Sequence, residues 1–413
     1  MFLHKKPHPM SAKRLKTDVN LNFDASEQLS RSFNVQREQD RLVSRFDRAQ
    51  LFVFSPAYHA LITNDKTVCI VTEEGVHTLL GGAFDCVIEE VPVSPSACVF
   101  HGVTLVSGRN IGTYYIRDLD GIKVFDEGFS SMTVCADRVF GLYQKELCYT
   151  AAGQYDNWKD GEKFYLPAPC DAVVAVDGVV YVLGDSCYTL TPKADGIEFK
   201  FEPLAHNIGI VAPGSVVAYN GTAVFGSANG LFRISSGKIT PIFTNLTETL
   251  DFKCCAATMF NGKYYLSCRN KTGSDVYNDV TLVLDLDEEK VVGLLHAGYN
   301  NLCATREKIY GVHNGKLFWH GEGTSQAAFF KGKIDFGCSD KKFLDALIIK
   351  THRDLELTIR SECETRLYKV KGKKTAQKIN LRGMGCEFSV EMTSNDGLDV
   401  ESVELFAHVS KEV

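Results

Sequence analysis

The stretch VLDLDEEKV places Asp285, Asp287, Glu288 and Glu289 close together, a set of oxygen donors of the kind that holds a hard cation. A calcium loop needs carboxylates at alternate positions, a central glycine and a distal bidentate glutamate. This stretch has neither the glycine nor the spacing, and it reads as a solvated strand end and turn. In FWHGEG, His320 and Glu322 supply at most part of a metal site, because a zinc site needs three or four ligands. HKKPHP matches a metal-binding tract in composition only and reads as a tail. The nucleophile elbow, H-E-x-x-H, the P-loop and a strand-linked G-x-G-x-x-G are all absent. The expectation is a protein without catalytic residues, metal ligands or cofactor.

The fourteen cysteines form no C-x-x-C pair. They lie in strand-like runs such as TVCIVT and ELCYT, where a reduced thiol acts as a small hydrophobe. Cys254 and Cys255 are adjacent, and on an extended strand they point to opposite faces, which makes a poor chelate.

What must position any site is a repeat. TMFNGKYYLSCRN, residues 258–270, sets the tight-turn pair Asn261-Gly262 between two apolar runs, and it has six counterparts. Their anchors are Asn64, His101, Asp137, Asp177, Asn220, Asn261 and Arg306, spaced 37, 36, 40, 43, 41 and 45 residues apart. A period near forty suits a four-stranded antiparallel unit with short turns. Such units cover one another's faces when arranged radially, and a closed circle leaves no long exposed edge. The reading is all-β: a six- or seven-bladed β-propeller over residues 49–325, then a small antiparallel β-sandwich over 326–413. WD dipeptides and paired kelch glycines are missing from the blades.

Residues 1–48 read as a polar N-terminal arm, with a short helix expected around 36–47. Met10 opens MSAKRLKTD, a more natural start than Met1. Residues 1–50 hold ten Lys/Arg and six Asp/Glu, so the arm is basic and the rest of the chain is near −10. Lys13, Arg14, Lys16, Arg37, Arg41 and Arg45 are the candidates for contact with a neighbouring subunit or with DNA. No run reaches the roughly 20 apolar residues of a membrane-spanning helix, and no apolar segment follows the charged start as in a secretory signal.

The order of arm, propeller and terminal sheet resembles virion tail proteins of double-stranded DNA bacteriophages. The resemblance rests on blades such as AYNGTAVFGSANGLFRI and on three terminal segments: Lys342 to Leu347, the glycine-marked Leu381 to Phe388, and Ser402 to Leu405. It implies a structural component of the tail nozzle, tail hub or head-to-tail junction, assembled in the host cytoplasm as a ring of six or twelve copies. Adjacent tail or adapter proteins would be its partners, and phage DNA would pass through without sequence recognition. It implies no catalytic residue. An intracellular propeller serving as an interaction platform, and a propeller hydrolase or lyase with an axial site, are the two other readings of the same pattern.

Overall fold

The structure is a computed structural model that describes residues 13–19, 21, 32, 34–38, 41–44, 47–52, 57–62, 68–80, 83–117, 120–158, 163–193, 198–271, 278–295, 297–321 and 326–409. It contains two compact units. One, the propeller unit, comprises Arg48–Lys290 and Leu295–Gly321; the other, the terminal unit, comprises Met1–Asp47, Val291–Leu294 and Glu322–Val413.

In the propeller unit the chain runs through consecutive antiparallel sheets. Sheet I is Ala57–Ile62, Val68–Thr72, Gly75–Leu80 and Ala83–Ile88, and sheet II is Ser96–Phe100, Val103–Gly108, Gly112–Arg117 and Asp120–Phe125. Sheet III is Ser131–Cys135, Arg138–Tyr143, Glu146–Tyr149 and Lys163–Tyr165, and sheet IV is Ala172–Val176, Val179–Leu183, Cys187–Pro192 and Phe199–Ala205. Sheet V is Val217–Tyr219, Thr222–Ser227, Gly230–Ser235 and Lys238–Ile242, and sheet VI begins Leu250–Phe260, Lys263–Asn270 and Val280–Asp285. Sheet VII is Asn301–Ala304, Ile309–His313 and Lys316–Gly321, with Asp47–Phe52, from before sheet I, as its outer strand.

The first strand of each sheet touches the first strand of the next, and Asn301–Ala304 touches Ala57–Ile62, so the series closes on itself. This is a β-propeller. Its core lies between neighbouring sheets: Phe100, Leu105, Phe129, Met132 and Trp158 pack between II and III, and Ile70, Cys303, Tyr310 and Leu317 between VII and I. The hairpin anchors His101, Asp137, Asp177, Asn220 and Asn261 have φ of 47, 57, 48, 46 and 49°, as two-residue turns require. Asn64 lies outside the described residues, and Arg306 sits in a wider turn between the paired residues Ala304 and Ile309.

Tyr264 and Ser267 face opposite ways from their strand, one toward each neighbouring blade. The Tyr264 hydroxyl donates to Ser215 O at 2.7 Å, ahead of sheet V, and Ser267 Oγ accepts from Tyr299 N at 2.6 Å, ahead of sheet VII. All fourteen cysteines are free thiols. Burial pushes the thiols of Cys98, Cys170 and Cys255 up to about 12, so they stay protonated and unreactive near neutrality. Cys254 is exposed beside buried Cys255, on the opposite face of the strand.

The terminal unit has the long strand Asp399–Val409 at its centre. Lys342–Thr351 pairs along one side of it, and on the other Arg41–Val43 pairs with its first half and Lys13–Asp18 with its second. A second sheet runs in the order Ala327–Ile334, Phe388–Ser394, Leu355–Ser361, Thr365–Val370. The helix expected around residues 36–47 is not formed. Val35–Glu38 and Arg41–Val43 make a hairpin there, with Val35 and Leu42 fully buried. Leu42, Val43 and Phe46 have helical spacing, but Leu42 and Val43 pair with Val400 and Asp399, and tertiary strand pairing overrides a weak local preference. No described residue lies in an α-helix, and none of the described residues belongs to a helix long and apolar enough to cross a membrane.

Candidate functional site

Among the described residues of the propeller, one group has the composition of a metal site. Carboxylate oxygens of Glu127 and Glu146 and the Cys148 thiol lie within 4.8 Å of one another. Lys163 faces Cys148 across the strands, and its ammonium lies 2.9 and 3.2 Å from the two Glu127 oxygens and 3.3 Å from Glu146. The hydrogen bond to Glu127 raises the lysine pKa, while burial pushes the thiol up to about 12. The ammonium already occupies the space between the two carboxylates and offsets one of their two charges. Asp285 has the same kind of role: it pairs with Lys263 and accepts from the backbone N–H groups of Asp287 and Glu288, which caps the turn. His320 is in strand Lys316–Gly321, and Glu322 and the HKKPHP tract lie outside the described residues.

Among the described residues, the arm candidates lie in the terminal unit on the strand Lys13–Asp18 and on the hairpin of Val35–Glu38 and Arg41–Val43. Lys13 and Arg14 pair in register with Val409 and His408. Lys16 Nζ lies 3.0 Å from Glu404 and 5.9 Å from the centre of the Phe406 ring. Arg37 stands opposite Leu42 in the hairpin, and Arg45 lies outside the described residues. Arg41 Nη2 donates to Asp399 Oδ1 at 2.5 Å.

Arg41 borders a cleft of about 520 Å³ in the terminal unit, shared with Glu38, Ser44, Arg353 and Asp399. Arg41 pairs with Asp399, while Arg353 donates to the backbone carbonyl of Asp396. Nearby on the same strand as Asp399, Glu401 takes hydrogen bonds from Lys350 and His352, which hold its carboxyl down to about 2. A carboxyl held below its ordinary value adds stability above the unfolded-state pKa, and that stability is lost as pH falls toward the folded value. We therefore expect the urea midpoint of the terminal unit to drop between about pH 4.3 and pH 2. In Glu401→Gln that acid slope should be shallower, as read by far-UV circular dichroism.

The three separated terminal segments meet in this unit. Leu347 pairs with Leu405 and Lys350 with Ser402, while Lys342 pairs with Gly385. Lys342 is completely buried, and its ammonium donates to the carbonyls of Asp340 and Cys386 at 2.6 and 2.7 Å. A Cβ at Gly385 would lie 2.7 Å from Ser361 Cβ, so the approach of this strand needs a glycine. What the sequence reading missed is the run of residues 365–383, with seven Lys/Arg and no Asp/Glu; its charge pattern was the available signal.

No protein-family model matches the chain, and no curated protein matches it. Solved structures do. The WD40 repeats of RRP9 match 68% of this chain and 99% of theirs, at 6% identity and a TM-score of 0.52. U3-55K matches 67% of the chain and 98% of its own at 6% identity and 0.49. The extracellular domain of the putative hybrid two-component system BT3049 from B. thetaiotaomicron matches 80% of the chain and 49% of its own, at 12% identity and 0.49. At such identities the likeness to the RRP9 repeats is one of fold, and the fold is a propeller.

Proposed function

We propose that the protein is a structural, ring-forming component of a double-stranded DNA phage tail or head-to-tail junction. In this reading it is a seven-bladed propeller, with Asp47–Phe52 completing the last blade, joined to a terminal β-sandwich reinforced by the arm strands. The observation that carries it is that the two later terminal segments both pair with the strand Lys342–Thr351, Gly385 at Lys342 and Leu405 at Leu347, where a buried lysine, a close strand approach and a central strand need those residues. Charge supports it too. The propeller unit has 21 Lys/Arg against 30 Asp/Glu, a net of −9, whereas the terminal unit has 24 against 21. An acidic or neutral wall lets a duplex slide without sticking. In the innermost strands, Asp251 is paired with Arg269, which leaves no free carboxylate there among the described residues to act as a base. Copies joined head to tail close into rings when the rotation allows. Particle mass and negative-stain symmetry of the purified protein, alone and with its genomic neighbours' products, test the reading. Rings of six or twelve copies are expected; a protein that stays monomeric with those partners overturns it.

A further inference from the structure

The terminal unit carries a strip of one charge sign that none of the interactions above employs. Residues 365–383 contain Arg366, Lys369, Lys371, Lys373, Lys374, Lys378 and Arg382, with no acidic residue among them, and all seven side chains are exposed. They lie on the edge strand Thr365–Val370, on the connection after it, on the strand Gln377–Asn380 and, for Arg382, just past that strand. The connection is held to the frame at both ends. Gly372 N donates to Asp354 Oδ1 at 2.8 Å, Lys373 N to Thr351 O at 2.8 Å, and Gln377 Nε2 to Lys371 O at 2.6 Å. The cations are therefore presented from an ordered surface.

Three of them have local counter-charges: Arg366 with Glu364 at 2.6 Å, Lys371 with Asp354 at 2.7 Å, and Lys369 with Glu356 at 3.8 Å. Lys373, Lys374, Lys378 and Arg382 have no carboxylate within ion-pair distance among the described residues. Arg366 and Arg382 line one small cleft with Tyr368 and Glu364.

Lysines on an edge strand can serve to prevent edge-to-edge aggregation. That role accounts for Lys369, on the edge strand itself. It can account for Lys378 too, because Gln377–Asn380 ends its own sheet, but not for Lys373, Lys374 and Arg382, which lie on neither strand. Protein–protein interfaces are depleted in lysine, whereas phosphate backbones are held by lysine and arginine without regard to sequence. We infer that residues 366–382 form a sequence-independent binding strip for the phosphate backbone of nucleic acid. It is a holding surface, in contrast to the acidic propeller. The inference does not require a ring, since a monomer would bind as well.

Four unpaired cations set the expected behaviour. Fluorescence anisotropy with a labelled 20-base-pair duplex should give a dissociation constant of about 10⁻⁶–10⁻⁴ M, with a log–log salt slope of roughly −3.6, or about 100-fold weakening from 50 to 200 mM salt. The variant K373E/K374E/K378E/R382E changes only exposed side chains and is to be checked for an unchanged circular dichroism spectrum and urea midpoint. It should lose at least 30-fold in affinity. A second variant, K373Q/K374Q/K378Q, should lose affinity and flatten the slope by about 3 units. No saturable binding at 50 mM salt, or wild-type binding by the folded variants, overturns the inference. Equal affinity for polyglutamate overturns it in favour of an acidic protein partner.

Discussion

Replacing Gly311 with valine is expected to destabilise the propeller by about 3 kcal/mol or more, at the upper end of what overpacking a core costs. A Cβ at Gly311 would lie 2.2, 2.6 and 2.7 Å from Cδ1, Cε1 and Cγ of the Tyr299 ring, well inside van der Waals contact. The ring cannot retreat. Tyr299 is fully buried, its N–H donates to Ser267 Oγ, and its carbonyl accepts from Asn278 Nδ2 at 2.7 Å. The same device recurs at Gly141, whose Cβ would meet the Phe129 ring at 2.4–2.7 Å, while Phe129 N donates to Ser107 Oγ at 2.8 Å. Gly141→Ala should therefore behave in the same direction. Urea denaturation followed by tryptophan fluorescence reads both, because the chain's two tryptophans, Trp158 and Trp319, belong to the propeller unit. Pairing Gly311→Ala with Tyr299→Leu should recover part of the loss by making room for the new methyl group. If Gly311→Val leaves the midpoint unchanged, the interlock between blades is not what holds them in register.

The interlock also explains why the repeat was legible while its reason was not. Runs ending near Gly or Ser recur in the sequence at VTLVSG, TAVFGS and YYLSC, and the turn pair Asn261-Gly262 marks a hairpin from local geometry alone. The partners of these small residues lie in the next stretch of chain: Ser107 with Phe129, and Ser267 with Tyr299. A period along the chain shows that units repeat, but inter-strand partners depend on which surfaces meet. The arm was harder to read for the same reason. Its strands Lys13–Asp18 and Arg41–Val43 take their form from Asp399–Val409, which is more than 350 residues away. Lys16 and Arg41, read as candidates for contact with a subunit or DNA, are paired with Glu404 and Asp399 of that strand. The basic run at residues 365–383 was visible as composition, but its exposure and ordered connection became apparent only with the fold.

Removing residues 1–21 should destabilise the terminal unit and leave the propeller intact. The deletion takes away the strand Lys13–Asp18, paired residue for residue with Val409 through Glu404, and the buried Val19 and Leu21 that follow it. Burying two such side chains contributes about 3–6 kcal/mol, of which the entropy of ordering the strand offsets a part. A net loss of about 2 kcal/mol is expected, with the Val19 N–H to Val403 O bond of 2.8 Å also gone. The consequence extends beyond stability. The second half of Asp399–Val409 would keep Lys342–Thr351 on one side and present an open backbone edge on the other, the geometry that pairs with a foreign strand. Circular dichroism should therefore show an earlier transition in the deletion variant, and light scattering should show concentration-dependent association. Tryptophan fluorescence should keep its wild-type midpoint, since it reports the propeller. A fluorescence midpoint that falls together with the dichroism midpoint would mean that the two units unfold as one, and would refute the independence on which this expectation rests. A synthetic peptide spanning residues 11–21, added in excess, should restore the early transition by refilling the edge in the register of Lys13 with Val409.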